Sequence, residues 1–211
     1  MNITVIGASS GTGLEAVKRA LQRNHTVTGL SRSGVRLIGY ENFRFMRGDA
    51  LKKIAVKKAI ANADAVLVTL GAPKNIKRTT LFSQFAKTLV DIHNESQTQI
   101  PFIFLTGFGA GDSQEYVSSW FIKMFIKYVM RDVYSDKTKM EEIIRSSDMN
   151  WIIVRPGRLL DDGLTEKYRI ETELYFGMNI TAVSRADVAD YMVKQAESPT
   201  ALKQFPVISA T

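Results

Sequence analysis

Apolar residues along the chain alternate between two patterns. Short, near-continuous apolar runs occupy Ile3–Ile6, Thr26–Leu30, Phe43–Met46, Ala65–Leu70, Pro101–Leu105 and Trp151–Val154. Between them the spacing is helical. Leu14, Val17 and Leu21 recur at i, i+3 and i+7, and residues 52–60, 80–93, 116–130 and 133–146 read the same way. Strands that are apolar at every position are buried on both faces, so helices must cover both sides of the sheet they form. With right-handed crossovers, the order predicts a doubly wound parallel α/β sheet. After Gly157 the pattern changes. Residues 168–174 alternate like a short edge strand, Ser184-Arg185-Ala186-Asp187 reads as a capping box opening a helix to about 196, and Phe205–Ile208 reads as a last strand. Residues 1–211 are read as one domain, with about 158–211 forming a small substrate-side segment.

The first strand runs into Gly7-Ala8-Ser9-Ser10-Gly11-Thr12-Gly13 and then into the first helix. In a strand–turn–helix context these glycines have separate tasks. Gly7 permits the tight turn, Gly11 lets backbone approach a pyrophosphate, and Gly13 allows close packing of helix on strand. Ser9, Ser10 and Thr12 complete the turn, whose helix N-terminus offers free N–H groups to an anion. This predicts a Rossmann-type dinucleotide site. An acid at the end of the second strand would select NAD. The chain instead has Leu30-Ser31-Arg32-Ser33. Ser31 removes the acid, and the Arg32 guanidinium suits a 2′-phosphate, so NADP(H) is expected over NAD(H). Arg36 reads as a solvated loop arginine.

Composition narrows the chemistry. The chain has no cysteine, which excludes disulfides, thiolate catalysis and cysteine-ligated metal centres. Its two histidines, His25 and His93, are too few for a multi-histidine metal site and are expected at the surface. A formal net charge of +7 favours an anionic partner, as a phosphorylated cofactor would be. No apolar run is long enough for a membrane span, and the N-terminus lacks the form of a secretory signal, so a cytoplasmic location is expected. The basic residues are dispersed and match no nucleic-acid-binding motif.

The chain resembles the short-chain dehydrogenase/reductase superfamily. More narrowly, it is similar to the atypical branch with biliverdin-IXβ/flavin reductases and nitrogen-repressor-like NADP sensors. The resemblance runs nearly end to end. It is carried by the Gly7–Gly13 turn, Leu30-Ser31-Arg32, Gly48-Asp49-Ala50, Thr69-Leu70-Gly71, Gly109-Ala110-Gly111-Asp112-Ser113, Val154-Arg155-Pro156-Gly157 and Ser184-Arg185-Ala186-Asp187-Val188-Ala189. It implies that Asp49 and Ala50 line the adenine, that Leu70 and Gly71 pass close to the cofactor ribose, and that Arg155, Pro156 and Gly157 form the turn beside the nicotinamide.

The superfamily's Ser, Tyr and Tyr-x-x-x-Lys set is not intact here. Tyr134 is followed by Lys at +3, Lys137, and the fifth strand ends Leu105-Thr106-Gly107, with one hydroxyl residue where relatives often have two. Lys137 is the candidate ribose contact, Tyr134 the candidate proton donor and Thr106 the candidate hydroxyl; the bland alternatives are a Lys137–Glu141 pair and packing for Tyr134. Glu141-Glu142, Asp161-Asp162 and Asp187/Asp190 read as helix-surface, loop and cap acids. Residues 116–130 crowd Trp120, Phe121, Met124, Phe125 and Tyr128 on one side, with Lys123, Lys127 and Arg131 on another. A core-packed amphipathic helix, a wall over the nicotinamide, and an oligomer or membrane-surface contact all fit this pattern. The expected activity is NADPH-dependent hydride transfer to a planar apolar small molecule such as a flavin or quinone. A non-catalytic NADP(H) sensor acting through a protein partner is the alternative. A nucleotide-sugar epimerase or dehydratase fits poorly, because little chain follows Gly157 and the Tyr-x-x-x-Lys spacing is lacking. Monomer and dimer both remain open.

Overall fold

A computed structural model describes residues 1–35, 37, 39–71 and 79–211. Arg36 and the Ala72-Pro73 turn expected after the fourth strand lie outside these residues. The elements are β1 (Asn2–Ile6), α1 (Gly11–Gln22), β2 (Thr26–Ser31), β3 (Phe43–Arg47), α2 (Lys53–Ile60), β4 (Ala65–Val68), α3 (Leu81–Ser96) and β5 (Phe102–Leu105). They continue with α4 (Trp120–Tyr128), α5 (Arg131–Arg145), β6 (Trp151–Pro156), β7 (Leu159–Leu160), β8 (Tyr168–Glu171), β9 (Val183–Ser184), α6 (Arg185–Glu197) and β10 (Val207–Ala210). Eight strands form one sheet in the order β3-β2-β1-β4-β5-β6-β10-β8, parallel except for β8, which runs antiparallel to β10. This is a Rossmann-type sheet. The strand order reverses between β1 and β4, and the crevice above that switch point is where such sheets bind ligands.

The apolar strands sort their side chains by twos. Ile3 and Val5 of β1, Leu67 of β4, Ile103 of β5 and Ile152 and Val154 of β6 face α1 and α6. Ile6, Val66, Val68, Phe102, Phe104, Trp151 and Ile153 face α2, α3 and α5, where Phe82, Phe85, Leu89, Met140 and Ile144 meet them. Each face thus has its own apolar layer, as the unbroken runs require.

Two buried acids fix the helices. Asp136 of α5 accepts the N–H groups of Phe82 (2.8 Å) and Ser83 (3.3 Å) and the Ser83 hydroxyl, so it caps α3 from a neighbouring helix. Asp190 of α6 takes Arg19 Nε (2.7 Å), the Tyr168 hydroxyl (2.7 Å) and Lys194 Nζ (2.7 Å), joining α1, α6 and β8. The segment after Gly157 is therefore tied to the first helix. Ser184 caps α6 as expected: its Oγ accepts the Asp187 N–H at 2.9 Å.

Three expectations about burial are corrected. His25 and His93 are buried: His93 lies within α3 among its buried residues, and His25, just after α1, has its Nε2 2.6 Å from Glu197 Oε1. The 116–130 stretch is helical only over α4, and α4 is not a core helix. Ile126 is its one buried residue, while Trp120, Phe121, Phe125, Tyr128 and Val129 are 55–79% exposed. Glu141 is buried rather than on a helix surface.

Leu67→Ala removes a fully buried side chain at the centre of the sheet. It should cost about 2–5 kcal/mol in urea unfolding, whereas Ile54→Ala, at an exposed site, should stay within about 0.5 kcal/mol of wild type.

Candidate cofactor-binding site

A cleft of about 460 Å³ opens beyond the C-terminal ends of β1, β2, β4 and β5. Its floor is the glycine turn. Gly7 has φ +96° and Gly11 φ +54°, values that favour glycine. The Gly7 N–H is spent on Leu30 O at 2.8 Å, which sets the turn against β2. A Cβ on Gly13 would overlap the Gly7 carbonyl oxygen and lie 2.5 Å from Thr69 Oγ1, so only glycine lets α1 sit this close to β1 and β4. The first turn of α1 has no side-chain cap and no acid, which leaves its N–H groups and the positive end of its dipole facing the cleft.

Gly7, Ser9, Ser10, Gly11 and Thr12 line this cleft, with Ser31, Arg32, Asp49, Ala50, Leu70, Gly71, Thr106 and Lys137. Gly13 lies beneath the turn and acts through packing. At the β2 end, the buried Ser31 donates its hydroxyl to Ser33 O at 2.6 Å, and the exposed Arg32 follows it on the wall. Asp49 Oδ1 accepts the Leu51 N–H at 3.0 Å, which anchors the turn after β3. Asp49 is the one acid on the wall among the described residues.

Lys137 is placed by its neighbour. With Asp136 capping α3, the next side chain of α5 points toward the end of β5, where Lys137 Nζ donates to Thr106 O at 2.6 Å. Nζ also lies 5.5 Å from the Phe82 ring centroid and 5.6 Å from that of Tyr134. Burial pushes its ammonium down to about 8, against the pull of Glu141. Lys137 makes its short contact with the Thr106 carbonyl, and Glu141 makes its own with Arg155.

Other expected residues sit elsewhere. Tyr134 is not on the cleft wall: its ring stands beside Lys137, but its hydroxyl falls next to Gly107, in a second hollow with Ile126 and Arg131. Burial raises its phenol pKa, so it holds its proton more tightly. Arg155, Pro156 and Gly157 are also off the cleft wall. Strand alternation turns Arg155 to the α5 face with Trp151 and Ile153. There its Nη2 lies 2.6 Å from Glu141 Oε2 and its Nη1 2.6 Å from Asp112 Oδ1, with the guanidinium 4.2 Å from the Phe205 ring centroid. Pro156 O accepts the Phe108 N–H at 2.8 Å, and the Gly157 N–H donates to Ile208 O at 3.0 Å. None of the α4 aromatics lines the cleft. Sequence reasoning missed Leu81, Leu159 and Arg185 on its wall. Only Arg185 had a signal, in the Ser184-Arg185-Ala186-Asp187 motif, which was legible there as a cap.

The residues present fit a dinucleotide. Uncapped helix N–H groups and Arg185 lie at the glycine turn, and Arg32 lies at the β2 end, so cationic and donor groups occupy both regions where such a molecule carries phosphate. The NAD(P)H-binding family model matches residues 7–199, and the chain belongs to that family. The resemblance to short-chain dehydrogenases/reductases extends to the fold. The anaerobillin reductase ChuY of Escherichia coli O157:H7 is similar over 100% of this chain and 97% of its own, with a TM-score of 0.80 and 23% identity. A protein of Streptococcus pneumoniae TIGR4 named for NADH-flavin reductase activity is similar over 100% of both chains, with a TM-score of 0.80 and 22% identity. A wide-type short-chain dehydrogenase/reductase of Veillonella parvula DSM 2008, solved with NADP, covers 99% of this chain and 94% of its own, with a TM-score of 0.81 and 17% identity. At these identities the likeness is one of fold.

Two outcomes are expected. Arg155→Ala leaves Glu141 buried without its cation. It should cost about 3–5 kcal/mol in urea unfolding while leaving dinucleotide affinity, measured calorimetrically on folded protein, near wild type. Lys137 has a folded pKa below its unfolded one, so the unfolded chain binds its proton more tightly. Its charge therefore weakens the fold below about pH 8, and this cost fades as pH rises from about 8 toward the unfolded value of about 10.4. Wild-type stability relative to Lys137→Met should rise across that window, as read from urea midpoints in a pH series.

Proposed function

We propose that the protein is an NADPH-dependent oxidoreductase acting on a planar apolar acceptor such as a flavin, a quinone or a related conjugated compound. The observation that carries this reading is the makeup of the cleft. It joins an anion-binding glycine turn to Arg32 and Lys137, and among the described residues its wall holds no tyrosine and no histidine. The reduced nicotinamide supplies a hydride when bound.

The chain's own residues bind, orient and exclude. The first turn of α1 holds the diphosphate. Arg32 forks onto the 2′-phosphate, with no acid at the β2 end to repel it. Asp49 and Ala50 flank the adenine, and Leu70 and Gly71 the ribose. Lys137, fixed by the Thr106 carbonyl, offers its remaining donors to the ribose hydroxyls on the nicotinamide side. Thr106 keeps its own Oγ1 turned toward Val154 O at 3.5 Å, so it acts through its carbonyl in placing Lys137. Among the described residues the wall holds no phenol or imidazole to serve as proton donor, and the Lys137 ammonium is engaged by the Thr106 carbonyl. Conjugated acceptors that solvent can protonate after hydride arrival need no such donor, whereas simple carbonyls do. The reductase names of the structures from Escherichia coli and Streptococcus pneumoniae support the reductase part of this reading, and the preference for NADPH rests on Ser31 and Arg32.

A second reading, a non-catalytic NADP(H) sensor, is supported by α4, whose exposed aromatics suit contact with a protein partner. Steady-state oxidation of NADPH with a flavin and quinone panel separates the two; turnover no faster than the blank would exclude the reductase. Arg32→Ala should weaken NADPH binding by roughly 10- to 100-fold, the range for a charge-assisted contact, and leave NADH nearly unchanged. Equal losses for both would mean that Arg32 does not read the 2′-phosphate.

A further inference from the structure

We infer that Arg185 is a clamp on the cofactor's diphosphate and that Asp161 is the partner those phosphates displace. This rests on dinucleotide binding in the cleft and is independent of the acceptor's identity. Arg185 is the first residue of α6, and its side chain reaches over the glycine turn. Its Nε and Cδ lie 3.5 and 3.7 Å from where a Cβ on Gly11 would stand. It is therefore the cation beside the free N–H groups of α1, at the position where a bound diphosphate concentrates its charge. Its Nη1 is held by Asp161 Oδ1 at 2.7 Å.

The two ends of the loop that carries Asp161 are fastened differently. Asp161 follows β7, which pairs with β9, so Leu159 and Leu160 lie beside Val183 and Ser184 and bring Asp161 next to Arg185. At the far end, the buried Asp187 carboxylate accepts the N–H groups of Thr165 and Glu166, each at 2.8 Å, and the Thr165 hydroxyl at 2.8 Å. That anchor is sheltered and multiply bonded. The Asp161 carboxylate is 89% exposed and its Arg185 partner 27% exposed, and an exposed pair of this kind is weak. A diphosphate already bonded to helix N–H groups carries more negative charge than one carboxylate and can take two guanidinium N–H groups at once. It would win Arg185 and leave Asp161 to solvent, while the Asp187 anchor keeps the rest of the loop in place.

The test is calorimetric titration of wild type, Arg185→Ala, Arg185→Lys and Asp161→Asn with NADP⁺, ADP-ribose and adenosine 2′-monophosphate, with a thermal melt of each variant as a folding check. Arg185→Ala should weaken NADP⁺ and ADP-ribose by about tenfold or more and leave adenosine 2′-monophosphate unchanged. Arg185→Lys, which keeps the charge without the fork, should fall between. Asp161→Asn should tighten NADP⁺ a few-fold, because the competitor is gone. Arg32→Ala should give the opposite ligand pattern, weakening adenosine 2′-monophosphate and sparing ADP-ribose. Unchanged ADP-ribose affinity in a folded Arg185→Ala protein would overturn the clamp while leaving dinucleotide binding intact, as would a loss in Asp161→Asn equal to that in Arg185→Ala. Failure of wild type to bind NADP⁺ or ADP-ribose would overturn the clamp together with the binding reading beneath it.

Discussion

The approach of α1 to the sheet at Gly13 governs much of this molecule. The helix can start directly above the end of β1 only because no side chain stands between Gly13, the Gly7 carbonyl and the Thr69 hydroxyl. That closeness aims the first turn of α1 into the crevice between β1 and β4. It also brings Arg19, farther along the same helix, to Asp190 of α6. The packing of the α1/α6 layer and the anion-binding end of the cleft thus share one steric origin. Substitution at Gly13 would disturb both together.

A second constraint acts from the opposite layer. Asp136 is buried, and its carboxylate is spent on the start of α3, which fixes the rotation of α5 about its axis. The placement of Lys137 in the cleft and of Tyr134 outside it follows from that rotation. Residues three apart on a helix are still neighbours, and Lys137 Nζ lies 5.6 Å from the Tyr134 ring centroid. The two side chains part only at their tips, the ammonium at Thr106 O and the hydroxyl beside Gly107.

The parts of the fold legible in the sequence were those with a short-range cause. Unbroken apolar runs marked strands covered on both faces, the glycines marked the turn, and Ser184 marked the start of α6. What escaped depended on partners far away in the chain. Arg155 beside Pro156-Gly157 resembles part of a cofactor turn until strand alternation and Glu141 draw it to the other face. His25 is buried because Glu197, near the end of the chain, meets it. The aromatic stretch around α4 has the composition of a core helix, but only Ile126 finds a cavity to fill, over Gly109 and Val117. Arg185 lay within a recognisable motif, yet its reach toward Gly11 depends on a contact between the two ends of the sequence.

The borders of the sheet have a consequence of their own. An eight-stranded sheet whose outermost strands were long and apolar would offer two templates for joining to another sheet. Here the β3 border carries Arg44 and Arg47 on exposed positions, so a second β3 laid alongside would set like charges against each other. At the other border, the reversed strand β8 is four residues long and bears Arg169 and Glu171, with Arg169 Nε bonded to Ser209 Oγ at 2.8 Å. Both margins are thus blunted against edge-to-edge growth. Association between copies through continuous backbone pairing is disfavoured, and helix surfaces are left as the natural ground for any encounter with another macromolecule.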